Sequence, residues 1–182
     1  MNSSPATFLI RPVRPDEYAA LGELTVAAYH ALTDVHFGPE ARARQLQYDA
    51  ELHDVAKRAE LSSVLVATGP GGELLGGVTY VRGPDDPYSE ELADGEAGMR
   101  MLAVDTANQG HGVGRALAQA CLDRARESGR SRLVLHTGAW MPAAVRLYES
   151  MGFIRRPELD FSAGPGIDLI AYSFEFGPLV DR

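Results

Sequence analysis

Gln109-Gly110-His111-Gly112-Val113-Gly114-Arg115 sets three glycines at alternate positions just before an amphipathic helix. That is chemistry for an anion. Glycines let the backbone approach a ligand, and the first N–H groups of a helix have no intrahelical acceptor. The helix dipole adds attraction at the same end. Residue types narrow the anion. A triphosphate loop needs G-x-x-x-x-G-K-[ST], whereas Gly114 is followed by Arg115-Ala116. A dinucleotide site needs G-x-G-x-x-G and an acid ending the next strand. Here the spacing is G-x-G-x-G, and the strand expected over 132–137 ends in His136-Thr137.

Other chemistry-bearing residues stand outside the loop. The segment 83–96 holds the acids Asp85, Asp86, Glu90, Glu91, Asp94 and Glu96 and no base. Such a cluster draws a cation by long-range attraction; it also suits a solvated surface loop. His136 at a strand end suits proton transfer or a structural imidazole. Trp140 suits an aromatic wall or core. Cys121 lies within a helix pattern and reads as a small buried hydrophobe, not a nucleophile. No metal site is expected.

These residues need elements to position them. A strand over 7–11 is closed by Pro12. Asp16 can cap a helix through about His30, with Tyr18, Leu21, Leu24 and Ala28 on one face. After Gly38-Pro39 a second helix spans about 40–60, with Tyr48, Leu52, Val55 and Ala59 along one side. Strands over 63–68 and 74–81 flank a glycine turn and form a hairpin. A strand over 97–104 leads into the glycine loop and a helix over 112–128. That helix carries Val113, Ala116, Leu117, Ala120, Cys121 and Arg124 at helical spacing, with Gly129 as its terminal cap. The strand over 132–137 is followed by a helix over 142–151, a strand over 153–155, a Gly/Pro loop and a strand over 167–176. The order β-α-α-β-β-β-α-β-α-β-β predicts an antiparallel meander, then a right-handed parallel β-α-β crossover. The fold class is α/β in the mixed-sheet (α+β) sense, with helices on the sheet's faces.

Length and composition bound the rest. The 182 residues suit a single domain over 1–182, with 45% hydrophobic and 23% charged residues. A net charge of −8 argues against nucleic acid as a partner. One cysteine gives no disulfide framework. The opening residues lack a signal-peptide pattern, and no apolar run reaches membrane-spanning length. A cytoplasmic protein with no membrane partner is expected.

Gln109-x-x-Gly112-x-Gly114 resembles the Q/R-x-x-G-x-G/A signature of the GNAT acetyltransferase superfamily. "RMLAVDTANQGHGVGRAL" resembles that family's strand-loop-helix core. "MPAAVRLYESMGFIR" resembles its later N-x-x-A-x-x-L-Y-x-x-x-G-F motif, and "IRPVRPDEY" a family start. The resemblance implies a three-layer α/β/α fold whose central, mostly antiparallel sheet splays between its fourth and fifth strands. It implies acetyl-CoA as acyl donor and a primary amine of a small molecule or peptide as acceptor, joined by direct attack in a ternary complex. Backbone N–H groups of Gln109, Gly110, His111, Gly112, Val113 and Gly114 would wrap the pyrophosphate. Arg115 would add charge there, or stand as a solvated helix residue. The main chain of Leu102, Ala103 and Val104 would pair with the pantetheine arm and polarise the thioester carbonyl; those side chains also suit core. Tyr148 occupies the general-acid position, on a helix face shared with Val145 and Met151. Glu96 and His136 are the candidates for general base, because Gly98 stands where many members carry Glu. Met141 replaces the motif's Asn. Homodimers are common in the family. A competing class is a non-catalytic acyl-CoA-binding regulatory module.

Overall fold

A mixed sheet organises the chain. The structure, a computed structural model, describes residues 8–33, 39–164 and 166–177. Among them run strands β1 (Leu9–Pro12), β2 (Ser63–Thr68), β3 (Leu74–Val81), β4 (Glu96–Val104), β5 (Arg132–Gly138), β6 (Ile154–Arg155), β7 (Phe161–Gly164) and β8 (Ile167–Glu175). The helices are α1 (Tyr18–Thr33), α2 (Pro39–His53), α3 (Val55–Leu61), α4 (Val113–Glu127) and α5 (Pro142–Ser150). The sheet order is β1-β2-β3-β4-β5-β8-β6, with β7 against β8. Every pairing is antiparallel except β4 with β5.

That parallel pair is short. Glu96↔Arg132, Ala97↔Leu133 and Gly98↔Val134 are matched, and then the strands part. β5 continues to Gly138 against β8, and β4 continues to Val104 against β3. The expected splay is therefore present. A β-bulge bends β4 where it leaves β5: the register jumps from Thr79↔Arg100 to Gly77↔Ala103, and Met101 takes a left-handed φ of 53°. Strand alternation is broken there. Arg100 and Met101 both turn to the α1–α2 side, where Met101 packs with Leu52, Val81 and Tyr88. Leu102 and Val104 pack on the opposite core with Ala97 and Met99.

The helices cover both faces. α4 buries Val113, Leu117, Ala118, Cys121, Leu122 and Ala125 against β4 and β5, joined by Tyr148 and Phe153. This stripe is rotated from the expected one, since Ala116, Ala120 and Arg124 are only partly buried. The C-terminal end of α4 is as expected: Gly129 has φ 67°, and Arg130 N–H donates to Ala125 O. On the other face α1 and α3 pack Leu21 and Val55 against Val64 and Val66.

Three expectations need correction. The N-terminal cap at Asp16 is instead supplied by Glu17, whose Oε2 accepts the N–H of Arg14 at 2.9 Å. The single helix over 40–60 is two, because Asp54 breaks the run and accepts the N–H of Lys57 to start α3. The Gly/Pro loop before the last strand contains β7, held in a hairpin with β8. Thr7 and Gly38 lie outside the described residues.

Glu17 ties β1 to the start of α1. Arg11 grips it through both oxygens at 2.6 and 2.8 Å, and Arg14 adds a contact at 2.9 Å. The Arg11 hydrogen bonds outweigh burial and pull its carboxyl from 4.5 down to about 2. A depressed folded-state value stabilises the fold above the unfolded value and loses that contribution as pH falls through the folded one. The contribution is about 3 kcal/mol at neutral pH. Glu17→Gln is therefore expected to lower stability at pH 7 and to flatten the loss between pH ~4.5 and ~2. Urea unfolding at stepped pH measures both.

Candidate active site

The glycine loop grows directly from the end of β4. Asp105 N–H donates to Leu75 O, and Gln109 Nε2 reaches back to Val104 O at 3.3 Å, so the loop folds over the strand end. Gly110 and Gly112 take φ of 79° and 89°, and a Cβ at either would meet nothing within 4 Å. Backbone conformation, not crowding, demands glycine there. Gly114 differs: its Cβ would rest against Leu147, Val104 and Leu102 at 3.4–3.6 Å, ordinary contact. Gly112 is the N-cap of α4, and no side chain caps the helix. Val113 turns into the core. His111 and Gln109 are exposed. Uncapped N–H groups behind left-handed glycines fit an anion. Arg115 leans away to donate to Ser150 Oγ of α5 at 2.5 Å.

Next to the loop, β4 presents an edge. Beyond Gly98 it has no ladder partner on the β5 side. Backbone N–H and C=O groups around Leu102, Ala103 and Val104 can therefore accept an extended ligand as a surrogate strand.

Several side chains meet in the splay. His136 follows two residues after the last β4–β5 pair and is largely buried. Its Nε2 lies 2.9 Å from Leu159 O, and its Nδ1 3.4 Å from Glu90 Oε2. Phe161 packs edge-on against the ring at 4.9 Å. The other oxygen of Glu90 binds Arg100 Nη2 of β4 at 2.7 Å. Arg100 also donates to Tyr88 O at 3.3 Å and stands 3.9 Å from Glu51 of α2. Glu90, Arg100, Gly98, Tyr88 and His136 line a residual void of about 10 Å³.

Tyr148 reaches the splay from α5. It belongs to the core on the α4 side, yet Tyr29 of α1, from the opposite face, acts on its phenol. Burial, then Tyr29, then Cys121, holds the Tyr148 phenol well above its usual range. No acceptor for its hydroxyl is found among the described residues.

Glu96 lies elsewhere. It opens the paired end of the seam, four residues and about 13 Å of strand from Arg100. Arg132 Nε binds its Oε1 at 3.1 Å, and Ala93 N–H donates to its Oε2 at 2.8 Å. The acidic segment is a scaffold. Asp86 is buried and accepts from Ser62 Oγ, Arg82 N–H and Tyr88 N–H. With Glu90 and Glu96 also engaged, Asp85, Glu91 and Asp94 are its exposed acids.

The sequence marks Glu90 only as one acid of a cluster and gives Arg100 no role. Arg100 carried a signal, as a charge inside the apolar strand "GMRMLAV". Glu90 was hidden among neighbouring acids. Met141 takes the N-cap of α5, its sulfur 3.7 Å from Thr137 Oγ1. Trp140 packs on Gly138, where a Cβ would sit 2.4 Å from the indole. Burial pushes the Cys121 thiol up to about 12, unsuited to nucleophilic work. Among the described residues no His/Cys/Asp/Glu group could hold a metal, and no helix is long and apolar enough to cross a membrane.

The sequence pattern of the acetyltransferase (GNAT) family matches residues 25–153. The chain is 34% identical over 88 residues to N-acetyltransferase 8 of Mus musculus, covering 48% of this chain and 37% of that protein. It is 44% identical over 66 residues to a mycothiol acetyltransferase of Thermobispora bispora, covering 36% of this chain and 22% of that protein. The chain thus spans well under half the length of these relatives. Its fold is similar to that of a PaiA N-acetyltransferase from Thermoplasma acidophilum crystallised with coenzyme A, at TM-score 0.71 and 12% identity over 93% of this chain and 99% of that one. It is also similar to YncA, a putative acetyltransferase from Salmonella typhimurium crystallised with acetyl-CoA, at TM-score 0.61 and 22% identity over 96% of each chain.

Proposed function

The chain belongs to the GNAT acetyltransferase family, and on that premise we propose that it is an acetyl-CoA-dependent N-acetyltransferase acting on a primary amine of a small molecule or peptide by direct attack. One observation carries the reading: the uncapped, glycine-led start of α4 follows the end of β4 that has parted from β5, the strand of His136, and Tyr148 packs in the core beside α4. In this reading the binding and proton-transfer groups border the same parting of the strands.

The residues divide the work. N–H groups from Gln109 to Gly114 bind the donor's pyrophosphate. The free edge of β4 at Leu102, Ala103 and Val104 hydrogen-bonds the pantetheine arm and polarises the acyl carbonyl. Arg115, engaged by Ser150, braces α5 against α4. Acetyl-CoA supplies the activated acyl carbon and a thiolate leaving group, so an N–C bond forms as a C–S bond breaks. Tyr148 gives its hydroxyl proton to the departing sulfur. His136 takes the proton that the amine sheds. Glu96 is the weaker base candidate, because both its oxygens are engaged at the closed end of the seam. Cys121, buried with a raised thiol, argues for direct attack over an acyl-cysteine route. A cytoplasmic setting, a small-molecule or peptide partner and a family-like homodimer belong to the same reading.

The test is release of free CoA from acetyl-CoA across a panel of amines and N-terminal peptides, run beside thermal denaturation with and without donor. Turnover with at least one amine, together with donor-dependent stabilisation, is expected. Stabilisation without turnover across the panel would favour a non-catalytic acyl-CoA-binding regulatory module.

A further inference from the structure

Among the described non-glycine residues, Glu91 and Met101 have left-handed φ, at 55° and 53°. Each follows directly on one member of the Glu90–Arg100 ion pair. Left-handed backbone at side-chain-bearing residues costs free energy and persists only where its surroundings enforce it. Two such residues, one in the loop before β4 and one within β4, flank the two charges of one contact. The loop carrying Glu90 is itself pinned by buried Asp86, which Ser62 and the N–H groups of Arg82 and Tyr88 hold.

Glu90 binds more than Arg100. Its second oxygen faces His136 Nδ1 at 3.4 Å, so one carboxylate bridges β4 and β5 just where the strands no longer pair. The other imidazole nitrogen is committed. Leu159 O can only accept, so Nε2 carries a proton. In the neutral ring Nδ1 is then the bare nitrogen, and it looks at a carboxylate.

We infer that Glu90 is a positioning residue for proton removal from the acceptor amine: Leu159 O sets the His136 tautomer with Nδ1 bare, and Glu90, anchored by Arg100, holds a carboxylate beside that nitrogen to stabilise the imidazolium formed when Nδ1 takes the amine proton. The inference rests on the acetyltransferase reading above. The proton leaves the amine nitrogen as the N–C bond forms, resides on Nδ1 beside Glu90 Oε2, and returns to solvent after product leaves. Arg100 holds the other oxygen and keeps the carboxylate in place. Glu51, near Arg100, is the next acid outward.

Two measurements on the full chain separate this inference from the reading it rests on. Nitrogen NMR of the free protein reports each His136 ring nitrogen without turnover. Glu90→Gln is expected to move the Nδ1 resonance while the backbone spectrum away from 83–96 keeps its native pattern. With an accepted amine, Glu90→Gln is expected to lower kcat about 10–100-fold with little change in KM for acetyl-CoA. Glu90→Asp is expected to recover part of the loss, and it carries the comparison if the glutamine variant does not fold. An unmoved Nδ1 resonance, or an unchanged kcat in an active enzyme, overturns the inference. If no amine is turned over, the acetyltransferase reading falls, while the NMR arm still decides whether Glu90 acts on the His136 ring.

Discussion

Tyr148→Phe is expected to lower kcat by about 10²–10⁴-fold, the range of a lost general acid, while leaving donor affinity nearly intact. The phenol is buried and held above its usual range, so it keeps its proton throughout neutral pH. An ordinary thiol would be a poor match for so weak an acid. Desolvation corrects the mismatch. Cys121, in the same core, shows a buried thiol pushed up to about 12, so a departing sulfur shielded from water would be a better match for the phenol. The phenylalanine variant should fold normally, because the hydroxyl has no acceptor among the described residues and Phe preserves the packing on Phe153 at 5.7 Å. Steady-state kinetics alongside calorimetric titration with acetyl-CoA separates the two effects. Undiminished turnover would remove Tyr148 from the chemistry.

Gly112→Val is expected to give the largest loss in donor binding. A Cβ at this position meets nothing within 4 Å, so the free protein has room for the side chain. The obstacle is φ 89° with ψ near 0°, which a β-branched residue tolerates poorly. A strain of about 1–2 kcal/mol moves the loop out of register with the first turn of α4 and weakens acetyl-CoA binding by roughly 5–30-fold. Gly114→Ala provides the contrast. Its Cβ would make ordinary contacts with Leu147, Val104 and Leu102, and affinity should change less than about threefold. Comparable losses at both positions would mean that space, not backbone conformation, sets the demand for glycine.

Local patterns made much of this legible in advance. Gly129 and Gly152 end their helices where a left-handed residue is needed, and both have positive φ. The glycine loop could be read because uncapped N–H groups and left-handed turns leave a residue-type signature. The rest depended on contacts distant in sequence. Asp54 breaks a helix that periodicity alone would continue, through a hydrogen bond to Lys57 N–H. β7 has no pattern of its own and exists because β8 lies beside it. Glu90 and His136 are far apart in the chain, and only the parting of β4 from β5 lets a loop carboxylate sit between them. Glu96 and Glu90 looked alike as acids. Their difference is which end of a three-pair seam each occupies.

That seam has a further consequence for how the molecule opens. The sheet has two blocks of strands, β1–β4 and β5–β8, with three matched residue pairs as their common ladder. The amides along the open edge of β4 belong to the low-protection end of the exchange spectrum, where local unfolding is least costly. A donor lying along that edge adds the missing strand. On the proposed reading it would tie that edge down and raise the stability of the fold with its concentration, by about 2.7 kcal/mol at a hundred times its dissociation constant. Such a protein would be most rigid when acyl donor is plentiful and most susceptible to breathing when it is scarce.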